Sequence, residues 1–149
     1  MNRSKHVKVI FRHEAFEGEG LEGAWCLKKE AYYQLDNILF YAKNFALNDI
    51  FEVEEINEEL YASNLVKESG HSCIRILFDQ VNEVSKTRAT LKKMGCDSEL
   101  SNMENLIAID IPPNVVYATL TQFLDKGEEE ERWQYQEAAI STFHREQTE

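Results

Sequence analysis

Apolar residues near the start of the chain recur at every second position. In "HVKVIFRH" Val7, Val9, Phe11 and His13 alternate with Lys8, Ile10 and Arg12, the period of a strand with one buried side. The acidic, glycine-bearing "EAFEGEGLEG" that follows predicts a loop, and "AWCLKKEAYYQLDNI" predicts a hairpin turning around Lys28 to Ala31. "LFYAKNFALND" fits either an irregular crossing or a short helix. In "IFEVEEINEELYASNLVKE", Phe51 and Val53 alternate with Glu52 and Glu54, Asn57-Glu58 can turn, and Tyr61 and Leu65 resume the pattern, which predicts a second hairpin. Residues 1–70 therefore read as an antiparallel β meander curled into a small barrel or half-barrel.

After Gly70 the period changes. "SCIRILF" predicts a strand with Ile74, Ile76 and Phe78 on one face. "DQVNEVSKTRATLKKMG" predicts a helix with Asp79 as N-cap, Val81, Val84, Leu91 and Met94 as its stripe and Gly95 as its stop. "NLIAIDIPP" gives a strand closed by two prolines, and "NVVYATLTQFLDKG" a helix carrying Val116, Leu120, Phe123 and Leu124, with Gly127 past its end. This strand-helix-strand-helix run predicts a β-α-β-α, ferredoxin-like half over residues 71–149. The tail "EEEERWQYQEAAISTFHREQTE" suits a helix or a short strand. The predicted class is α+β, one domain of two lobes.

Composition bounds what such a domain does. An apolar share of 43% in 149 residues fills a core without staples or metals. No window approaches a membrane span and "MNRSKHVKV" lacks the apolar centre of a secretory signal, so a cytoplasmic protein with no membrane partner is expected. A formal net charge of −11 argues against nucleic acid as the main ligand and for a basic partner. Ordinary solubility is the plainer account of the same charge. Cys26, Cys73 and Cys96 show no paired spacing, so free thiols are expected rather than disulfides or zinc. GxxxxGK[ST], GxSxG and HExxH are missing, and neither cofactor nor metal is expected.

A few residues still carry candidate chemistry. In "KESGHSCIRILF" strand alternation puts His71, Cys73 and Arg75 on one side, with His71 and Arg75 about 13 Å apart along the strand. His71 beside Gly70 reads first as a strand entrance and second as a base. His13 beside Glu14 combines residue types used in acid-base catalysis, but alternation turns His13 toward the apolar side. Asp110 lies opposite Ile107, Ile109 and Ile111, facing solvent or capping the turn before Pro112. A metal would need His13 and His71 to meet with Asp36 or Asp110. The run Glu128, Glu129, Glu130 and Glu131, followed by Trp133 and Tyr135, joins charge to two large rings and is the leading interaction candidate, with a solvated helix start as its plainer reading.

The blocks "VKVIFRHEAFEGE", "YYQLDNILFYAKNFALNDIFEVEE", "ESGHSCIRILF", "KKMGCDSE", "IAIDIPP" and "EEERWQYQEAA" resemble a bacterial family catalogued as domain of unknown function 4265. The resemblance covers nearly the whole chain and implies a small soluble bacterial protein with no transferable reaction. Two functions follow as expectations. One is an acidic binding module that occludes a basic partner, as an immunity protein does a nuclease-type toxin, with Glu17, Glu19, Glu22 and Glu128 to Glu131 steering and Trp133 and Tyr135 as anchors. The other is an enzyme or small-ligand protein with His13, His71, Arg75 and Asp110 lining one cleft, Arg75 holding a carboxylate or phosphate. That second function requires at least three of the four to converge. A structural or regulatory subunit without a site is the remaining option.

Overall fold

The computed structural model describes residues 6–15 and 18–147. β1 (His6–Ala15), β2 (Gly18–Lys29), β3 (Tyr32–Leu35), β4 (Ile50–Ile56) and β5 (Glu59–Lys67) follow one another as an antiparallel meander. A parallel contact of β5 with β1, Ile10 beside Tyr61, closes it into a five-stranded barrel, leaving no open sheet edge. Alternation sets the lumen: Val9, Phe11, Ala24, Cys26, Leu35 and Phe51 are all buried. The Phe11, Phe45 and Phe51 rings lie 5.2 to 5.6 Å apart at tilted or edge angles, the arrangement that aromatic quadrupoles favour.

Of the loop expected over residues 14–23, the described residues 14–15 and 18–23 are strand instead. β1 and β2 pair through Glu14 with Glu19, because alternation continues and glycine admits a close partner. His13 lies opposite Gly20, where an added Cβ would sit 2.1 Å from the imidazole. The turn predicted around Lys28 to Ala31 forms at Glu30-Ala31, Lys28 and Lys29 still being strand, the turn at Asn57-Glu58 forms as predicted, and Glu30, Asn57 and Glu58 take positive φ.

The second half holds β6 (Ser72–Phe78), a 3-10 turn (Val81–Glu83), α1 (Val84–Lys93), β7 (Asp97–Leu100), β8 (Leu106–Ile111), α2 (Tyr117–Glu129), β9 (Trp133–Ala139) and α3 (Thr142–Gln147). Its sheet runs β7-β8-β6-β9, every neighbour antiparallel. Ile74, Ile76, Ile107 and Ile109 pack with Leu91 of α1 and Leu120 and Leu124 of α2. The class is α+β, but β7 and β9 were not resolved in the strand-helix reading. β7 is a short, largely exposed "DSEL" with almost no hydrophobic signal.

Three local expectations are corrected. Asp79 does not cap a helix: α1 begins after the 3-10 turn, from a Glu83 N-cap with no side-chain cap bond, and Val81 is half exposed. Gly127 lies inside α2, pressed against the Trp133 ring. The acidic run ends α2 and turns into β9, Glu131 having φ 59°, so it does not start a helix.

Residues 36–49 form no regular element. This strap leaves the barrel and covers the sheet face turned away from the helices, where Ile38 and Phe40 meet Cys73, Ala108 and Ala138. No helix among the described residues is long and apolar enough to cross a membrane.

Candidate functional site

Arg75 answers the question posed by a charge inside an apolar strand. Its cross-strand partners are Ala108 on β8 and Gln136 on β9, so it points to the strap side of the sheet. There it is only 5% exposed. Nε donates to the Leu39 carbonyl at 3.3 Å, Nη1 to the Tyr41 carbonyl at 3.0 Å and Gln136 Oε1 at 3.2 Å, and Nη2 to the Ala42 carbonyl. A planar fork that matches three carbonyls of one segment is a use that lysine cannot copy. Burial pulls the guanidinium below its ordinary value, with Cys73 and Glu22 opposing.

Glu22 holds the same strap from the barrel. Opposite Phe11 in register, it shares the inward face, and its carboxylate accepts the Phe40, Tyr41 and Ala42 N–H groups at 2.7, 3.0 and 2.9 Å. Glu22 is therefore a structural tie and is not available to steer a partner. Asp49 repeats the device at the far end, accepting Ala46 N–H at 2.9 Å and Ser69 N–H at 2.8 Å. Burial raises its pKa, partly opposed by those bonds.

His71 and Asp110 meet on their own. The imidazole Nδ1 lies 2.8 Å from Asp110 Oδ1, with Asp110 only 4% exposed. Asp110 thus does not face solvent. Burial raises its pKa although the His71 hydrogen bond works the other way. Cys73, opposite Asp110 in register, is a buried thiol whose pKa burial pushes up to about 12, which removes it as a nucleophile near neutral pH. His13 instead stacks on Tyr41 with centroids 5.4 Å apart and contacts the Glu14 carbonyl through Nδ1 at 2.9 Å. Asp36 contacts His6 at 2.6 Å. Among the described residues no three of His, Cys, Asp and Glu are grouped to hold a metal.

The four candidates therefore divide. His13 and Arg75 line one cleft of about 870 Å³ between β1, the strap and β9, while His71 lies at a separate, smaller hollow near Glu68 and Ser141. The three-residue convergence required for the enzyme or small-ligand reading on these four residues does not occur.

One buried cluster was missed in the sequence. Ser72 Oγ lies 2.6 Å from His144 Nδ1, and His144 Nε2 lies 3.0 Å from the Pro112 carbonyl. The Pro112 contact requires a proton on Nε2, so Nδ1 accepts from Ser72. Ser72 and His144 are both 0% exposed. The pair consequently has the geometry of an activated serine and no route to a substrate; it fastens α3 to β6. Ser141 N-caps α3 by accepting the His144 N–H at 3.1 Å, and that serine three residues before His144 was the one readable signal.

Burial holds the His144 pKa below its ordinary value, the Pro112 bond opposing and His71 adding repulsion. A lowered folded value means that the unfolded chain binds the proton first as pH falls. The contribution of His144 is whole above about 6.5 and declines below it. Asp49 and Asp110, with raised values, have the opposite sign: their ionisation removes stability as pH rises through the folded values. Urea unfolding about one unit above and one below that histidine value should show wild type losing more stability on acidification than His144→Gln. Equal losses would contradict the assignment.

The acidic surface is also rearranged. Trp133 is buried, its ring N–H donating to the Leu124 carbonyl at 3.0 Å, and Tyr135 donates its hydroxyl to Asp125. Trp133 cannot anchor a partner, since it packs between Phe78 and Phe123. Glu128 accepts the Tyr135 N–H, Glu130 lies 3.5 Å from Arg132, and Glu19 lies 3.5 Å from Arg12. Glu129 and Glu131 stay exposed, while Glu17 lies outside the described residues. A denser patch was overlooked: Glu52, Glu54, Glu55, Glu58 and Glu59 are all exposed on the β4–β5 hairpin. Apart from the Asn64 contact of Glu52 at 3.1 Å, these carboxylates have no hydrogen-bonded or ion-paired partner among the described residues.

A protein family described as "Domain of unknown function (DUF4265)" matches residues 19–135. No curated protein matches the chain. Among solved structures, a hypothetical protein from Neisseria gonorrhoeae superposes with a TM-score of 0.78 at 22% identity, over 91% of this chain and 96% of that one. The likeness concerns the fold.

Proposed function

The chain belongs to the DUF4265 family, a domain of unknown function, and from that premise we propose that it is an acidic protein-binding module of the bacterial cytoplasm that grips a basic partner. The observation that carries this reading is the β4–β5 hairpin, where five glutamates within eight residues stay exposed with no ion pair among the described residues. Like charges crowded on two paired strands repel one another. A cationic surface relieves that repulsion on docking and is drawn in by the long-range field. An immunity protein occluding a nuclease-type toxin is the instance that fits best, because a nuclease must itself be basic to hold its phosphate-rich substrate.

The order β6-α1-β7-β8-α2-β9 with sheet order β7-β8-β6-β9 supports reading the second half as ferredoxin-like. In this account that half is scaffold: it holds the strap, and the strap fixes the barrel that displays the hairpin.

The test compares two baits in bacterial extract, wild type and a variant with Glu54, Glu55, Glu58 and Glu59 changed to Gln. The exposed positions leave folding intact. Wild type should retain a basic protein that the variant does not. Equal retention by both would remove the hairpin from the interface.

A further inference from the structure

The cleft between β1, the strap and β9 has the opposite sign to the molecule around it. Arg12, His13, Lys43 and Arg75 line it, and Glu14 is the one acid among the described residues that line it, in a chain of net charge −11. Register explains the floor. Arg75 and Gln136 form one row across the sheet, and Leu77, Leu106 and Gln134 form the next. The strap covers the first row but stops short of the second, so Leu77 is 40% exposed, with Met103 44% exposed at the rim.

Each cation there is left incompletely answered. Arg75 is buried on neutral acceptors and has no carboxylate in contact; the nearest, Glu22, holds three backbone amides. Lys43 has no ion pair among the described residues. Arg12 shares Glu19 at 3.5 Å and lies over the Tyr61 ring at 4.5 Å. The His13 ring is fixed between Tyr41 and the bare backbone of Gly20, with Nδ1 on the Glu14 carbonyl and Nε2 without a partner among the described residues.

A cleft of about 870 Å³ falls within the roughly 300–1,000 Å³ of small-molecule sites, which are mostly apolar with a few placed polar groups. We infer that this cleft binds a small amphipathic anion, its acidic head held by Lys43 and Arg12 and its flat apolar body lying on Leu77 and Met103 beside the Tyr41 ring. A buried guanidinium beneath the site strengthens the preference for an anion, since its field is poorly screened there. This site is separate from the acidic hairpin, and its sign excludes the basic partner proposed for that surface.

The probe is anilinonaphthalene sulfonate, a flat fluorescent anion, with neutral phenylnaphthylamine as its uncharged counterpart, added to protein with native near-ultraviolet dichroism. The sulfonate should saturate at one per chain. Lys43→Glu and Leu77→Asp, both at exposed positions, should each weaken it about tenfold or more, and the neutral probe should bind about tenfold more weakly. The hairpin glutamine variant should leave its affinity unchanged. Failure to saturate, equal affinity for the two probes, or indifference to both cleft variants would overturn the inference.

Discussion

Replacing Arg75 with methionine should lower the unfolding free energy by about 3 kcal/mol, within the range for removing one partner of a buried charged network. Methionine keeps the stem and deletes the fork. The Leu39, Tyr41 and Ala42 carbonyls then lose their donors while the strap still covers them. For a chain of this size that loss should shift Tm by about 6–12 °C. Hydrogen exchange adds a local signature. The Phe40, Tyr41 and Ala42 amides, held by Glu22, should exchange faster in the variant, whereas those of the buried β8 strand should follow global stability. A buried charge can sometimes be replaced by an apolar residue at no loss. Unchanged stability with unchanged strap protection would mean that the strap does not depend on the fork.

Gly127→Ala should be destabilising in the same range, although alanine is the better helix former by about 1 kcal/mol. The added Cβ would sit 2.0 Å from Trp133 Cζ2. The ring cannot swing aside, because its N–H is bonded to the Leu124 carbonyl, it packs against Phe78 and Phe123, and Arg132 lies over its face. Overpacking of this kind costs about 1–3 kcal/mol or more. Pairing Gly127→Ala with Trp133→Phe relieves the clash, so the double variant should be more stable than the two separate losses predict. Strict additivity would show that the helix tolerates the methyl group elsewhere.

The barrel was readable because β1 to β4 bury alternate residues, whereas β5 has no fully buried residue. Period-two alternation at Val9/Phe11 and Phe51/Val53, with turn residues at Glu30-Ala31 and Asn57-Glu58, locates the hairpins directly. The closure is not readable, since it depends on a single parallel contact between Ile10 and Tyr61, strands far apart in sequence. β7 escaped detection for lack of apolar residues, and the strap for lack of any period.

The site divides in the same way. Arg75 was visible as an anomaly inside "SCIRILF", but its acceptors are backbone carbonyls of residues 39–42, which no side-chain pattern reports. Glu22 looked like one more surface acid until register placed it opposite Phe11. Trp133 looked like an exposed anchor because aromatic residues beside charge suit both an interface and the start of an edge strand; only packing against α2 separates the two. His144 joins Ser72 across 72 positions, a distance at which one sequence carries no sign of contact.

The central claim is that exposed charge on β4–β5 draws in a basic partner. Its most direct measurement is the association rate of the captured partner with wild type and with the hairpin glutamine variant, followed from about 0.01 to about 1 M ionic strength, over which the screening length falls from about 30 to about 3 Å. The account predicts a wild-type rate that falls by about tenfold or more with salt, and a variant rate that is already low and nearly flat. Rates for the two proteins that coincide at every ionic strength would contradict it.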